Sequence, residues 1–243
     1  MKTKILTFSQ LQEAARLLYQ GQLVAIPTET VYGLAALISS ESAISSIFAV
    51  KKRPADNPLI VHIANLKQLD QIALPPSKLF FQLTEAFFPG PLTMIIPRHR
   101  DLSPLISAGL DSVAIRMPAH PIAMDLIQML EVPIVAPSAN LSGRPSATDM
   151  QHVLDDFDQK ISAVIDGGRS TFGVESTVIS LLSNPPVILR PGNITKQEIE
   201  NVLGRTIDVQ ISLQKGPVYS PGMKYRHYAP CIPVKLFYER EQI

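Results

Sequence analysis

Lys51, Lys52 and Arg53 stand in a row at the head of KKRPADNPLIVH, with Pro54 directly behind them and Pro58 just before an apolar run. Proline fixes its own φ and turns the preceding residue away from helix, so Pro54 ends a helix at the cations and Pro58 holds Asn57 extended. Cations on so stiff a loop lose little entropy on gripping an anion, and an arginine fork matches the oxygens of phosphate or carboxylate. The same residues also read as cations satisfying the last carbonyls and the dipole of a helix. Sequence leaves both readings open at this point.

Other polar clusters follow apolar runs in the same way. PSANLSGRPSAT comes after VPIVA and offers Ser138, Asn140, Ser142, Arg144 and Ser146. Hydroxyls, an amide and backbone N–H groups in a Gly/Pro-shaped loop at the carboxyl end of a strand suit phosphate oxygens or a ribose. PTETVYGLA contributes Thr28, Glu29, Thr30 and Tyr32 before Gly33, although a hairpin with a glycine kink reads alike. In DSVAIRMP, Arg116 is a lone charge on an apolar strand, which is costly unless it meets an acid or a ligand. GVESTVISL and ILRPG add Glu175, Ser176, Thr177 and Arg190 at strand ends.

Several chemistries are disfavoured. None of the 12 glycines falls in a G-x-G-x-x-G or G-x-x-x-x-G-K-[ST] frame. Ser138 lacks a G-x-S-x-G frame and assigned histidine and carboxylate partners. His62, His99, His120, His152 and His227 show no zinc-binding spacing, and the single cysteine, Cys231, excludes a multi-thiolate site and an intrachain disulfide. His62 alternates with Val61 and Ile63, so it faces the opposite way from them, a structural histidine unless a pocket lies on its side.

The elements that must hold these groups are short. QLVAIPT, GLAALIS, LIVHIA, LTMIIP, SVAIRMP, VPIVAPSA, AVIDGG, STVISLL and PVILRPG read as strands. Capping boxes at Ser9/Gln12, Thr148/Gln151 and Thr195/Glu198 start helices, with stops at Gly21 and Gly204. Further helices are expected over Ser42–Lys52, Asn65–Ile72, Ser77–Phe88 and Pro121–Leu130. Some strands follow one another with no helix between, so the α/β sheet is expected to be twisted and mixed parallel/antiparallel, flanked by helices.

The chain has 243 residues, 46% of them hydrophobic and 18% charged, with a net charge of +1. That describes one main globular domain with no bulk basic field, so any anion must be met by local cations and stable nucleic-acid binding is not expected. No signal peptide or membrane-length apolar run is present, and the sequence reads as cytoplasmic.

The order of PTETVYGLA, KKRPADNPLIVH, FFPGPLTMII, SVAIRMP, PIVAPSANLSGRPSAT, IDGG, GVESTVI and ILRPG closely resembles the YrdC-like threonylcarbamoyl-AMP synthase family, from about Leu6 to Gly204. SPGMKYRHYAP looks like the connector of the longer, two-domain form. That divides the chain into a YrdC-like domain over 1–205, a linker or lid over 206–230 and, over 231–243, the start of a truncated C-terminal domain.

The resemblance implies a nucleotidyltransferase that makes threonylcarbamoyl-AMP and pyrophosphate from L-threonine, bicarbonate and ATP, with Mg2+ on the triphosphate. Its product would pass to the tRNA threonylcarbamoyl-transfer machinery for modification of adenosine 37. Carried over by motif, Lys51 and Arg53 meet the bicarbonate and phosphate anions. Thr30, His62, Arg116, Ala136 and Ser176 surround threonine. Arg53, Asn57, Ser112, Ser138, Asn140, Ser146 and Arg190 hold ATP, and Tyr228 closes over them from the linker. Alanine at Lys51 or Arg53 is expected to abolish turnover with the fold intact. The alternatives are the carbamoyl-adenylate-forming domain of a carbamoyltransferase, and a non-catalytic RNA-binding module of similar fold.

Overall fold

The computed structural model describes residues 2–210. Its strands are β1 (Lys4–Leu6), β2 (Val24–Ile26), β3 (Gly33–Leu37), β4 (Ile60–His62), β5 (Leu92–Pro97), β6 (Ser112–Arg116), β7 (Ile134–Val135), β8 (Ala163–Ile165), β9 (Thr177–Ser180), β10 (Val187–Arg190) and β11 (Asp208–Val209). The helices are α1 (Leu11–Tyr19), α2 (Glu41–Lys51), α3 (Lys78–Phe87), α4 (Pro104–Ser107), α5 (Pro121–Leu130), α6 (Met150–Phe157) and α7 (Lys196–Leu203).

All the strands join one sheet in the order β1-β8-β2-β3-β7-β4-β6-β5-β9-β10-β11. Parallel pairs such as β4 with β6 and β5 with β9 mix with antiparallel ones such as β5 with β6. The helix-free connections from β2 to β3 and from β9 to β10 are antiparallel, as their shortness requires. β1 and β11, at the two sheet edges, and the four-residue α4 carry too little periodicity to be read from sequence.

Burial divides the two faces. On one, α2, α3, α4, α6 and α7 bury Ile47, Phe80, Leu83, Ile106, Phe157 and Ile199 against Val61, Met94, Ile96 and Ile115. On the other, α1 and α5 lay Leu18, Leu126 and Ile127 over Val24, Ile26, Leu37 and Ile134. A small all-strand cluster of Ile60, Ile95, Ala114, Val178 and Leu189 continues that second face under the β4 to β10 half. His62 pairs with Ile134 of β7 and with Arg116 of β6. Alternation therefore turns Ile60 and His62 to this second face and Val61 to the main core.

Helix ends explain how the chemical residues are aimed. α2 opens with Ser40 Oγ accepting the Ala43 N–H at 3.3 Å and ends at Lys51, with Lys52 in the left-handed region at φ 51°. That kink points Lys51 inward, exposes Lys52 and sends Arg53 sideways. Thr195 and Glu198 form the expected capping box, and Gly204 ends α7 at φ 65°. α1 is preceded by a 3-10 turn capped by Thr7 and Gln10, rather than by the Ser9/Gln12 box. α6 is capped by the Asp149 carboxylate, which accepts the His152 N–H at 3.0 Å, while the Thr148 hydroxyl turns to the His152 ring. A carboxylate at a helix N-terminus also gains from the dipole, so it displaces a neighbouring hydroxyl. Residues 65–72 form a 3-10 stretch, Leu66–Gln71, in place of an α-helix.

Candidate active site

Over Ile60 and His62 the second face opens into a hollow. It is lined by Thr28, Thr30, Val31, Tyr32, Gly33, Arg53, Ile60, His62, Arg116, Ala136, Pro137, Ser138, Glu175, Ser176 and Arg190. Arg53, Thr30, His62, Arg116, Ala136, Ser138, Ser176 and Arg190, all expected at a site from sequence, thus surround a common space. The hollow extends from the strand-end loops over the middle of the sheet, because Ile60 and His62 form part of its lining.

Arg116 is held on three sides. Its Nη2 donates to Glu29 Oε1 at 2.7 Å, its Nη1 to Thr30 Oγ1 at 2.8 Å and its Nε to the Gly90 carbonyl at 3.3 Å. A guanidinium carries five N–H donors, so each terminal nitrogen keeps a second N–H in the plane of the fork. Burial pulls the Arg116 pKa below its ordinary value, against the neighbouring Glu29 charge. His62 beside it is held neutral, its pKa pushed down to about 3 by burial first and the Arg116 charge second.

Arg190, at the end of β10, donates through Nε and Nη2 to the Ser176 carbonyl at 3.1 and 2.9 Å, and through Nη2 to Ser176 Oγ at 3.1 Å. Burial brings its pKa down to about 10, so it stays a cation at neutral pH. Arg53 donates to the carbonyls of Asn57 and Pro58 at 3.2 and 2.8 Å, fixing its guanidinium on the loop that the two prolines stiffen.

Lys51 differs from the sequence expectation. Its side chain is 1% exposed and does not line the hollow. Its ammonium donates to the Ser138 and Asn140 carbonyls, and its own carbonyl accepts the Ser142 N–H at 3.0 Å. Lys51 therefore straps the PSAN loop from behind, and burial, reinforced by Arg53, lowers its pKa well below the lysine range. Asn140 braces the same loop, donating to the carbonyls of Leu141 and Arg144 at 2.9 and 2.8 Å. Asp156 holds it from α6 through the Leu141 N–H and Arg144.

Asn57, Ser112, Asn140 and Ser146 also lie outside the lining. Asn57 is buried behind Arg53. Ser112 shares a face of β6 with Arg116 but stands four residues upstream, about 13 Å along the strand. Ser146 Oγ donates to Glu175 Oε1 at 2.5 Å and so reaches the hollow through Glu175. Tyr228 lies outside the described residues, as does the chain from 211 onward that was read as linker and following segment.

Two residues in this region had no assigned role. Thr93, hidden in the apolar run LTMII, is fully buried with Oγ1 2.7 Å from Ser176 Oγ; one hydroxyl in an otherwise aliphatic strand was the available signal. Glu175 is the hollow's one lining carboxylate among the described residues, and its Oε2 is buried with no hydrogen-bond partner. No group of three or more metal-ligating side chains occurs among the described residues, nor any helix long and apolar enough to cross a membrane.

Comparison with known proteins bears on this geometry. The Sua5/YciO/YrdC family model, described as "Telomere recombination", matches residues 16–192, and a model described as "Threonylcarbamoyl-AMP synthase, C-terminal domain" matches residues 194–243. The second match takes in the segments read from sequence as linker and truncated domain. Threonylcarbamoyl-AMP synthases of Bacillus subtilis and Pyrococcus abyssi are each 50% identical to this chain, over 93% and 91% of it. The chain spans 66% of the length of each of these relatives. The crystal structure of P. abyssi Sua5 complexed with L-threonine superimposes with a TM-score of 0.90 at 48% identity, covering 94% of this chain and 69% of that one.

Proposed function

Since this chain belongs to the Sua5/YciO/YrdC family, we propose that it carries the active site of an L-threonylcarbamoyladenylate synthase, a nucleotidyltransferase that uses L-threonine, bicarbonate and ATP. The observation that carries this reading is the convergence of Arg53, Arg116 and Arg190 on one hollow in which, among the described residues, no lining hydroxyl is hydrogen-bonded to a histidine or a carboxylate. Such a lining suits a reaction between two anions.

Threonine must lose a proton from its ammonium and add bicarbonate with loss of water to give a carbamate. A carbamate oxygen then attacks the α-phosphorus of ATP, and pyrophosphate leaves in line. Nucleotidyl transfer of this kind needs position and charge neutralisation more than a protein nucleophile. Holding the reacting atoms about 3–3.5 Å apart can contribute roughly 7–11 kcal/mol.

Arg116 takes the amino-acid carboxylate on its remaining N–H pair, against a neutral His62 that adds no competing charge. Thr30, Ala136 and Ser176 bound the rest of threonine. Arg53, Ser138 and Arg190 face the bicarbonate and phosphate oxygens, with Ser146 behind Glu175. Ser112 shares the face of β6 that carries Arg116, within reach of a nucleotide laid along the strand. Lys51, Asn57 and Asn140 set the loops that carry these groups, and Tyr228 would add a cover that excludes water from the mixed anhydride. Mg2+ accompanies the triphosphate, bound mostly by phosphate oxygens and water, and lowers the charge that the arginines must neutralise. The product would go to the machinery that modifies tRNA adenosine 37, in the cytoplasm.

The test is pyrophosphate release from Mg-ATP and bicarbonate with and without threonine. Threonine-dependent release supports the proposal. Release that requires carbamoyl phosphate, or RNA affinity without turnover, would replace it.

A further inference from the structure

Glu175 is out of place for an anion site. Arg53, Arg116 and Arg190 line the hollow to receive negative charge, yet a carboxylate stands among them. Ser146 Oγ donates to its Oε1 at 2.5 Å, fixing the side chain's rotation, whereas Oε2 is buried without a hydrogen-bond partner. Glu175 makes no direct ion pair among the described residues, although its charge acts at longer range on Arg190 and Lys51. An unmatched buried carboxylate oxygen is costly, so an arrangement that fixes one oxygen and leaves the other bare in the lining calls for a cationic ligand there.

We propose that Glu175 Oε2 is a protein ligand of the divalent cation that enters with the nucleotide, Mg2+ or Mn2+. This rests on the nucleotide reading of the hollow given above. Hard divalent cations are held at such sites by one or two carboxylates together with substrate phosphates and water, and a single carboxylate oriented by a hydroxyl meets that need. Ser146 then acts as the positioning residue for the ligand. The placement also resolves the charge conflict: a carboxylate that repels a bare triphosphate attracts its metal complex.

The competing role is a simple counter-charge to the nearby arginines, and the two roles differ in sign. Binding of a non-hydrolysable ATP analogue, AMP-PNP, is measured by calorimetry in EDTA and in Mg2+, for the full chain and for Glu175→Gln, which keeps the side-chain shape. Mn2+ bound in the presence of AMP-PNP is counted by electron paramagnetic resonance. As a metal ligand, Glu175→Gln binds metal-free AMP-PNP as tightly as the parent or more tightly. It loses about tenfold or more of the Mg2+ enhancement, together with the protein-bound Mn2+ signal. Glu175→Asp, which keeps the charge on a shorter stem, recovers part of both.

An unchanged Mg2+ enhancement in Glu175→Gln overturns the assignment, as does equal weakening with and without metal. Failure of the unsubstituted chain to bind AMP-PNP under either condition would overturn the nucleotide reading itself and this assignment with it.

Discussion

Ser176 Oγ receives a hydrogen bond from Arg190 at 3.1 Å and lies 2.7 Å from Thr93 Oγ1, whose hydroxyl has no other partner among the described residues. If Thr93 also donates, both lone pairs of Ser176 are filled and its own proton points into the hollow. Ser176 would then offer a donor and require an acceptor from the substrate. Thr93→Val keeps the buried volume but frees Ser176 to reorient. It is expected to raise KM for threonine about tenfold, equivalent to the roughly 1.4 kcal/mol of one hydrogen bond, with kcat and KM for ATP little changed. Steady-state pyrophosphate release checks this, and an altered ATP KM with an unchanged threonine KM would refute it. Lys51 makes a different prediction. Because its ammonium straps two carbonyls of the Ser138 loop, Lys51→Met should loosen that loop as well as impair turnover. Hydrogen exchange over residues 138–147 should accelerate about tenfold or more while the sheet stays protected, and unaltered exchange would return Lys51 to the role of a direct anion contact.

At the scale of elements, the site depends on close backbone approaches that only glycine permits. A Cβ on Gly192 would come within 2.4 Å of the Thr177 nitrogen, 2.6 Å of the Glu175 carbonyl and 2.6 Å of the Ser176 carbonyl carbon. Gly192→Ala must therefore push apart the ends of β9 and β10, which carry Glu175, Ser176 and Arg190. Activity is expected to fall by at least about a hundredfold, more than its loss of stability would explain at 25 °C, as activity and denaturation measured side by side would reveal. Strands β2 to β10 and α5 were legible in sequence because their apolar runs and bounding prolines leave few alternatives, and Gly204 and Thr195 mark α7 plainly. The hollow's arginines were legible as well, since a charge such as Arg116 within SVAIR must have a partner. Depth was not. The spacing of Lys51, Lys52 and Arg53 does not reveal that a left-handed Lys52 turns one lysine into the interior, nor does the motif PSAN disclose that Asn140 bonds inward to its own loop. The burial of Lys51 arises from contacts between segments some ninety residues apart.

For the whole molecule, the buried histidine couples the site to stability. His62 has its pKa depressed to about 3 in the folded state by burial and by Arg116, whereas an unfolded chain titrates near the ordinary 6.5. Between those values the unfolded state binds a proton that the folded state refuses, so stability falls as pH drops below about 6.5 and stops falling from this cause near 3. The expected slope from one such group is roughly 1 kcal/mol per pH unit. His120, half-buried and also lowered by burial, contributes in the upper part of the same window. The depressed carboxylates Glu13, Asp158 and Glu198 act below it: their stabilisation is present above the unfolded carboxylate range and is lost as pH falls toward their folded values. The interval from pH 6.5 to about 5 therefore isolates the histidines. Urea denaturation across it should show stability declining in the parent chain and a clearly flatter decline in His62→Gln, which cannot gain a proton. If both chains lose stability in parallel, the neutral His62 beside Arg116 is not what sets the acid limit of this fold.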